Sequence, residues 1–496
     1  VRIVASGVAA LLLCGSVGAA EIHTAARAGD LEAVKALLAA DPALVNAQDA
    51  NGATPLHLAA RGVHAELVDY LVDHGADVTI RDANQVIALH SLAYRGADEL
   101  VTLVITKGAD VDAAAVGGTT PLHFAVEAGH VRTVERLVSH GANVEAANGL
   151  GNTPLLLAAS FGLNEIVERL LARGASVGPP NDRGDTPLTV AHREGHDEIA
   201  KLLIAKGADP TQVEEIRLPE GPYLGQEPPG ETAVLFAPRF VSTERNQLNA
   251  VFSPDGREFY FTELRPGGSA IMVTKVEDGF WSRPTPLGFS GPYTDVDHFM
   301  TRDGQRMYFC SNRPLTPGAE TNPNADIWVT TRTEQGWGPP RHLGPTVNSE
   351  AGDYYPSFAD DGTLYLSSRR PDALGDSDIY RASQVDGELL PPENLGPPVN
   401  TRDSEYDPFV APDHSFLVFS SSRPGGRGES DLYISFRGAA GAWTEPRNMG
   451  PGVNSESRDF TPMLSPDGNY LFFTSRRAGV GDIYWVDARV IETLRE

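Results

Sequence analysis

Thirty-three residues separate each of Thr54, Ile87, Thr120, Thr153 and Thr186 from the next, and one short phrase recurs around them. A unit of that length carries one or two helices and cannot bury its apolar face alone. Stacked copies can, so the first half of the chain must be a solenoid that offers a broad surface rather than a deep pocket. The phrase opens on Thr-Pro-Leu-His, as in "TPLHLAA" at 54–60 and "TPLHFAV" at 120–126. Threonine can cap free backbone N–H groups, and proline in the first helical turn loses no hydrogen bond. A second helix follows, with an apolar face such as Leu67, Val68, Leu71 and Val72. Gly75, Gly108, Gly141, Gly174 and Gly207 then stand where a helix must end in the left-handed region.

Phrase, period and terminator together resemble the ankyrin repeat family, with six units over residues 21–212. The first unit, "EIHTAARAGD", lacks the opening and reads as a terminal cap. Unit three has Ile87 and Ala88 for Thr-Pro, and unit five has Leu156 where His57, His90 and His123 stand. Those histidines fall one per unit, about 8–10 Å apart, too far to share one metal ion, so they read as structural hydrogen-bonding groups. The resemblance implies protein binding through a concave face carrying Arg61, Tyr94, Arg95, Glu127, Phe161, Arg193 and Glu194. Tyr94, Arg95 and Phe161 occupy slots the phrase leaves unspecified, which marks them as anchors.

Helical periodicity stops near Pro210, and residues 213–231 accumulate proline and glycine, which reads as a linker. Beyond it, residues 232–490 carry a second repeat. "VFSPDGREFYFTE" at 251–263 and "MLSPDGNYLFFTS" at 463–475 are its first and fifth copies, each two strands around an Asp-Gly turn. A third strand follows ("DIWV" at 326–329, "DIYW" at 482–485), then a fourth carrying Trp281, Trp337, Leu389 or Trp443. Four strands per unit of roughly fifty residues mean β-propeller blades. The fifth copy lacks a fourth strand, and "LFAPRF" at 235–240 matches "WTEPRN" at 443–448, so an N-terminal strand closes a five-bladed ring, six blades being the alternative. The fold class is thus multidomain: an α-solenoid, then an all-β propeller and a short tail at 491–496. The second repeats resemble the WD40-like (PD40, TolB-like) propeller family, which implies a bacterial envelope context but spans binding proteins and enzymes alike.

Each blade places an arginine after its second strand (Arg265, Arg313, Arg370, Arg423, Arg477) and an acidic or amide residue before its inner strand (Gln247, Asp295, Asp353, Glu405, Asp459). A group present in every blade reads as a structural tie. The functional alternative is that Asp295, Asp353, Glu405 and Asp459 gather at the channel mouth to hold a hard cation such as Ca²⁺. No other cofactor or metal is implied. A glycan-active propeller would need a carboxylate pair, for which Asp295 and Asp297 are the candidates. No nucleophile elbow, phosphate loop or zinc-protease motif occurs, so no catalytic residue is assigned.

The net charge is −26, which opposes nucleic-acid binding. Residues 1–20 read as a signal peptide: Arg2, an apolar run through Leu13, and Gly18-Ala19-Ala20 before Glu21. Leu13 ahead of Cys14 argues against a lipoprotein signal. The expectation is a periplasmic or secreted chain without a membrane span, binding a protein partner. The alternative is a propeller hydrolase or lyase acting on a glycan or peptide, with the helical array as its targeting module.

Overall fold

The computed structural model describes residues 19–213, 218–291, 293–316, 319, 321–322, 324–438 and 441–495. The proposed signal peptide lies almost wholly outside them. Two compact units divide at 215/216.

The first unit is a row of paired helices. Residues 19–28 and Leu31–Ala40 form the first pair, followed by Pro55–Gly62 with Ala65–Asp73 and Ala88–Tyr94 with Asp98–Thr106. Pro121–Glu127 with Val131–Ser139, Pro154–Ser160 with Asn164–Ala172, and Pro187–Arg193 with Asp197–Ala205 complete six units. Alanines such as Ala59, Ala93, Ala125 and Ala158 are fully enclosed and let successive first helices approach closely, while Leu71, Val104, Leu137, Leu170 and Leu203 continue one core along the stack. The terminating glycines adopt φ between 89° and 105°, a region costly for any residue with a Cβ.

The repeated histidines tie unit to unit. Nδ1 of His57, His90 and His123 accepts from the N–H of residue 54, 87 or 120 at 3.1–3.2 Å. Each Nε2 faces a carbonyl further along the chain: Val86 at 3.0 Å, Ala113 at 2.9 Å or Asn152 at 3.0 Å. Burial lowers their pKa values, to about 4 for His90 and His123, so they stay neutral and serve structure, as expected. Unit five, lacking the histidine, keeps its cap through Thr153, whose Oγ1 accepts from Leu156 N at 3.2 Å.

The second unit is a five-bladed propeller. Its inner strands are Gln247–Phe252, Asp295–Met300, Asp353–Phe358, Glu405–Val410 and Asp459–Leu464; each pairs with the second strand of its blade, and successive inner strands pack together until the fifth meets the first. The last blade has Asp482–Asp487 as its third strand, and Val234–Leu235 pairs with it, Val234 opposite Trp485 and Leu235 opposite Tyr484. The ring therefore closes with an N-terminal strand, but in a register different from the sequence match. Leu235, rather than Phe240, takes the place that Asn448 holds against Tyr433 in blade four. Phe236 decides this: it is fully buried against Phe259, Phe472 and Trp485, and Pro238 and Arg239 turn the chain into the first blade. The outer edges also differ from the expected single fourth strand. Phe280–Trp281 and Gly336–Trp337 are short hairpin arms, and the edge pairing falls to Thr285–Pro286, Arg341–His342, Glu393–Asn394 and Arg447–Asn448.

The proline- and glycine-rich segment is not a free tether from Leu218 onward. Trp281 N donates to Pro219 O at 2.7 Å and Trp281 Nε1 to Gly221 O at 2.8 Å. Tyr223 packs on Phe252, Tyr470 and Trp485 and donates to Asp467 at 2.7 Å. At the other end, the helix Arg489–Thr493 buries Ile491, so packed structure continues into the segment read as a tail.

Candidate functional site

Two places gather side chains that the repeats do not require. One is the first-helix surface of the helical array. Arg61 reaches the buried carboxylate of Asp82 at 2.7 Å, and Arg193 sits between Asp185 at 3.1 Å and Glu194 at 3.4 Å. Those three of the expected binding residues are thus engaged within the array. Glu127 is half-buried, and Phe161, expected to be exposed, is half-buried against the helical core. Tyr94 is 41% exposed, its ring edge-on to Phe124 at 6.2 Å and its carbonyl facing His130 Nε2 at 3.0 Å. Arg95 beside it is exposed, with no ion pair among the described residues. Of the seven, Arg61, Tyr94 and Arg95 are exposed, and Arg61 is held by Asp82.

The other place is the propeller axis, where the acids considered as an alternative cation site are each tied within their own blade. Asp295, Asp353, Glu405 and Asp459 are fully buried, and each binds its own blade's arginine: Arg313 at 2.7 Å, Arg370 at 2.7 Å, Arg423 at 3.1 Å and Arg477 at 3.0 Å. Their remaining oxygens accept from Ser290, Ser349, Thr401 and Ser455. In the interior each of these charges is offset by the arginine of its own blade. The first blade varies the theme: Gln247 replaces the acid and bonds Thr243, while Arg265 and Arg245 share Glu263 at 2.8 Å each. Among the described residues no group of three or more His, Cys, Asp or Glu side chains is placed to hold a metal ion. His298, His342 and His414 have separate partners in Thr262, Asp326 and Tyr365.

Two residues beyond each of these tied positions the inner strand does something the sequence reading missed. Asn249, Asp297, Tyr355, Asp407 and Thr461 all adopt positive φ, between 51° and 55°, where the strand register shifts. A left-handed residue with a Cβ inside a strand costs on the order of 1–3 kcal/mol, and its repetition in five blades makes the bulge a fixed feature of this propeller. The bulge gathers these side chains at the axis. Tyr355 Oη donates to Pro462 O at 2.8 Å and to Asn249 Oδ1 at 3.3 Å, and Asn249 Nδ2 donates to His298 O at 2.7 Å. Thr461 N donates to Asp407 Oδ2 at 3.3 Å.

Asp297 and Asp407, from blades two and four, flank this network. Both are half-buried. Burial, and then the charge of Asp407, raises Asp297 to about 8, with a hydrogen bond from Cys310 acting against the rise. Burial raises Asp407 to about 6, opposed by Arg458 and the Thr461 N–H. Because the charge of one opposes ionisation of the other, the pair loses its two protons in separate steps, and between those steps it holds one proton and one charge. That is the condition for one carboxyl to donate while the other accepts. Asp295, the candidate partner of Asp297 in sequence, is instead bound to Arg313 at 2.7 Å. The signal available in sequence was the alternation itself: in Gln-x-Asn, Asp-x-Asp, Asp-x-Tyr, Glu-x-Asp and Asp-x-Thr the first member repeats in kind while the third varies.

Residues 6–82, 22–115, 81–148 and 122–214 match the family model described as ankyrin repeats (3 copies). A search of curated proteins finds no match to the chain. No helix among the described residues is long and apolar enough to cross a membrane. The helical half of this protein is an ankyrin repeat array, followed in the same chain by a five-bladed β-propeller arrangement.

Proposed function

We propose that the chain is an exported protein-interaction protein whose ankyrin array grips a protein partner through the first-helix surface around Tyr94 and Arg95, with the propeller as a second rigid docking surface. The observation that carries this reading is the contrast on that surface. Arg61, Arg193 and Glu194 are tied internally, whereas the adjacent Tyr94 and Arg95 present an aromatic ring and an uncommitted guanidinium, the residue types that dominate binding hot spots. Export rests on the apolar start and the Gly-Ala-Ala boundary, and a TolB-like propeller family fits the repeated Ser-Pro-Asp-Gly turns. A photo-crosslinking residue at position 94 should trap one partner from a cell-envelope extract, and the same probe at 32, on the exposed second helix of unit one, should not. Replacing Tyr94, Arg95 and Phe161 by Ala should weaken capture by about 1–2 kcal/mol. Equal trapping from both positions, or undiminished capture by the triple variant, would sink the reading.

One observation favours a second reading, that of a propeller hydrolase or lyase acting on a glycan or peptide. Asp297 and Asp407 divide their protonation states as an acid and a base do. Incubating the chain with glycan and peptide libraries and following new reducing ends or amines tests this, with Asp297→Asn and Asp407→Asn as paired controls. Turnover by either variant at the rate of the unaltered chain removes the axial pair from consideration.

A further inference from the structure

The second helices of the ankyrin array carry a repeat of their own. Their first turn holds an acid at Glu66, Glu99, Glu165 and Glu198, each 33 residues or a multiple of 33 from the next, where a carboxylate complements the positive end of the helix. Unit four breaks the series: position 132 is Arg, and its helix, Val131–Ser139, has no acid in the first turn. A cation there works against the helix dipole and finds no compensating ion pair among the described residues, so helix stability does not account for it.

Arg132 stands instead with other arginines. It lines a groove of about 660 Å³ across the second helices of units three to five, together with Arg136 one turn on and Arg169 and Arg173 from the next helix. The carboxylates in that groove are partly committed. Asp98 accepts from Thr133 Oγ1 at 2.5 Å, and Glu135 holds Arg169 at 3.0 Å, which Glu165 holds from the other side at 3.1 Å. Arg132, Arg136 and Arg173 are exposed and without an ion pair among the described residues. Four arginines line the recess against the carboxylates of Asp98, Glu99 and Glu135, which leaves it net positive in a chain of net charge −26.

We infer that this groove docks an acidic peptide segment of a protein partner, its carboxylates paired by Arg132, Arg136 and Arg173 across neighbouring repeats. Guanidinium forks suit carboxylates because two parallel N–H donors match two oxygens. The groove is open rather than enclosed by apolar walls, which suits an extended strand of charged side chains more than a small molecule. Tyr94 and Arg95 are not among the residues that line it, so it offers the array a second contact.

The test uses the full chain and a fluorescein-labelled decapeptide of alternating Asp and Glu, with an Asn/Gln decapeptide of equal length as control, read by anisotropy. The acidic peptide should bind saturably and weaken as salt rises, and the neutral one should not bind. Arg132→Glu restores the acid of the other units, so it should leave the thermal midpoint unchanged or higher while weakening the peptide at least tenfold. Arg136→Glu should weaken it similarly, and Tyr94→Ala should leave it unchanged. Absence of saturable binding, equal affinity for the neutral peptide, or full affinity in Arg132→Glu overturns the inference. Tighter binding of inorganic polyphosphate than of the peptide overturns the assignment to a protein segment, and loss of binding in Tyr94→Ala alone transfers the peptide to the first-helix surface.

Discussion

The hydroxyl of Tyr355 in blade three donates to Asn249 of blade one and to the Pro462 carbonyl of blade five, so one side chain joins blades that are not neighbours in the ring. Such bonds can only cross the axis. The tyrosine is 1% exposed and fills the centre of the channel that a five-bladed ring leaves. Tyr355→Phe keeps the packing and leaves the Pro462 carbonyl without its donor, which should cost about 1–3 kcal/mol in a denaturant titration. Tyr355→Ala should cost more, about 3–5 kcal/mol, by opening a cavity as well. Equal losses in the two variants would mean that the hydroxyl contributes nothing.

Asp297 and Asp407 give stability a direction with pH. Both hold their protons more tightly folded than unfolded, since their pKa values rise from 3.8 to about 8 and about 6. Between those limits the folded chain binds more protons at these two sites, so their contribution to stability is greatest below about pH 4 and declines as pH rises through 6 and 8. Asp297→Asn removes the larger share. The variant should be more stable than the unaltered chain at pH 9, by on the order of 3 kcal/mol, and the two should converge toward pH 4. A thermal-melt series from pH 4 to 9 checks this, and parallel curves would show that Asp297 is not the titrating group.

The blade arginines make an opposite demand. Arg477 holds Asp459 at 3.0 Å, donates to Ser475 Oγ at 2.8 Å and to Val453 O at 2.6 Å, and stacks over Tyr484. Arg477→Ala leaves a fully buried carboxylate without its cation, for an expected loss of about 3–5 kcal/mol, whereas Arg477→Ala with Asp459→Asn should recover part of it. Additive losses in the double variant would argue that the two residues act separately.

The repeats made much of this legible in advance. The 33-residue phrase is local, and capping, helix packing and terminating glycines follow from residue types at fixed spacing, so the helical half could be read from sequence. The blade arginines were legible for the same reason, because the same pair recurring in four blades marks a tie. The axial pair was not. Asp297 and Asp407 are 110 residues apart, and only the closing of a ring around inner-strand bulges brings them together. Nor does local pattern set the closing strand: "APR" and "EPR" look alike, yet burial of Phe236 overrides that likeness and moves the register by five residues.

The same seam supports a last prediction. Val234–Leu235 closes the fifth blade with only two residues of strand pairing, which is little to hold a ring of this size. The preceding strap supplies the rest. Tyr223 lies among Phe252, Tyr470, Phe472 and Trp485, where the first and last blades meet, and its hydroxyl reaches Asp467 of the last blade. Trp281 of the first blade takes two backbone carbonyls from the strap. A propeller fragment beginning at residue 218 should therefore be more stable than one beginning at 232, and one beginning at Gln247, which lacks the closing strand as well, should be the least stable of the three. Tyr223→Ala in the longest fragment should lower its stability by about 2–4 kcal/mol, reproducing much of the loss seen on removing residues 218–231. Chemical denaturation of the four proteins measures the order. If the fragments beginning at 218 and 232 unfold at the same midpoint, the strap lies against the propeller without holding it shut.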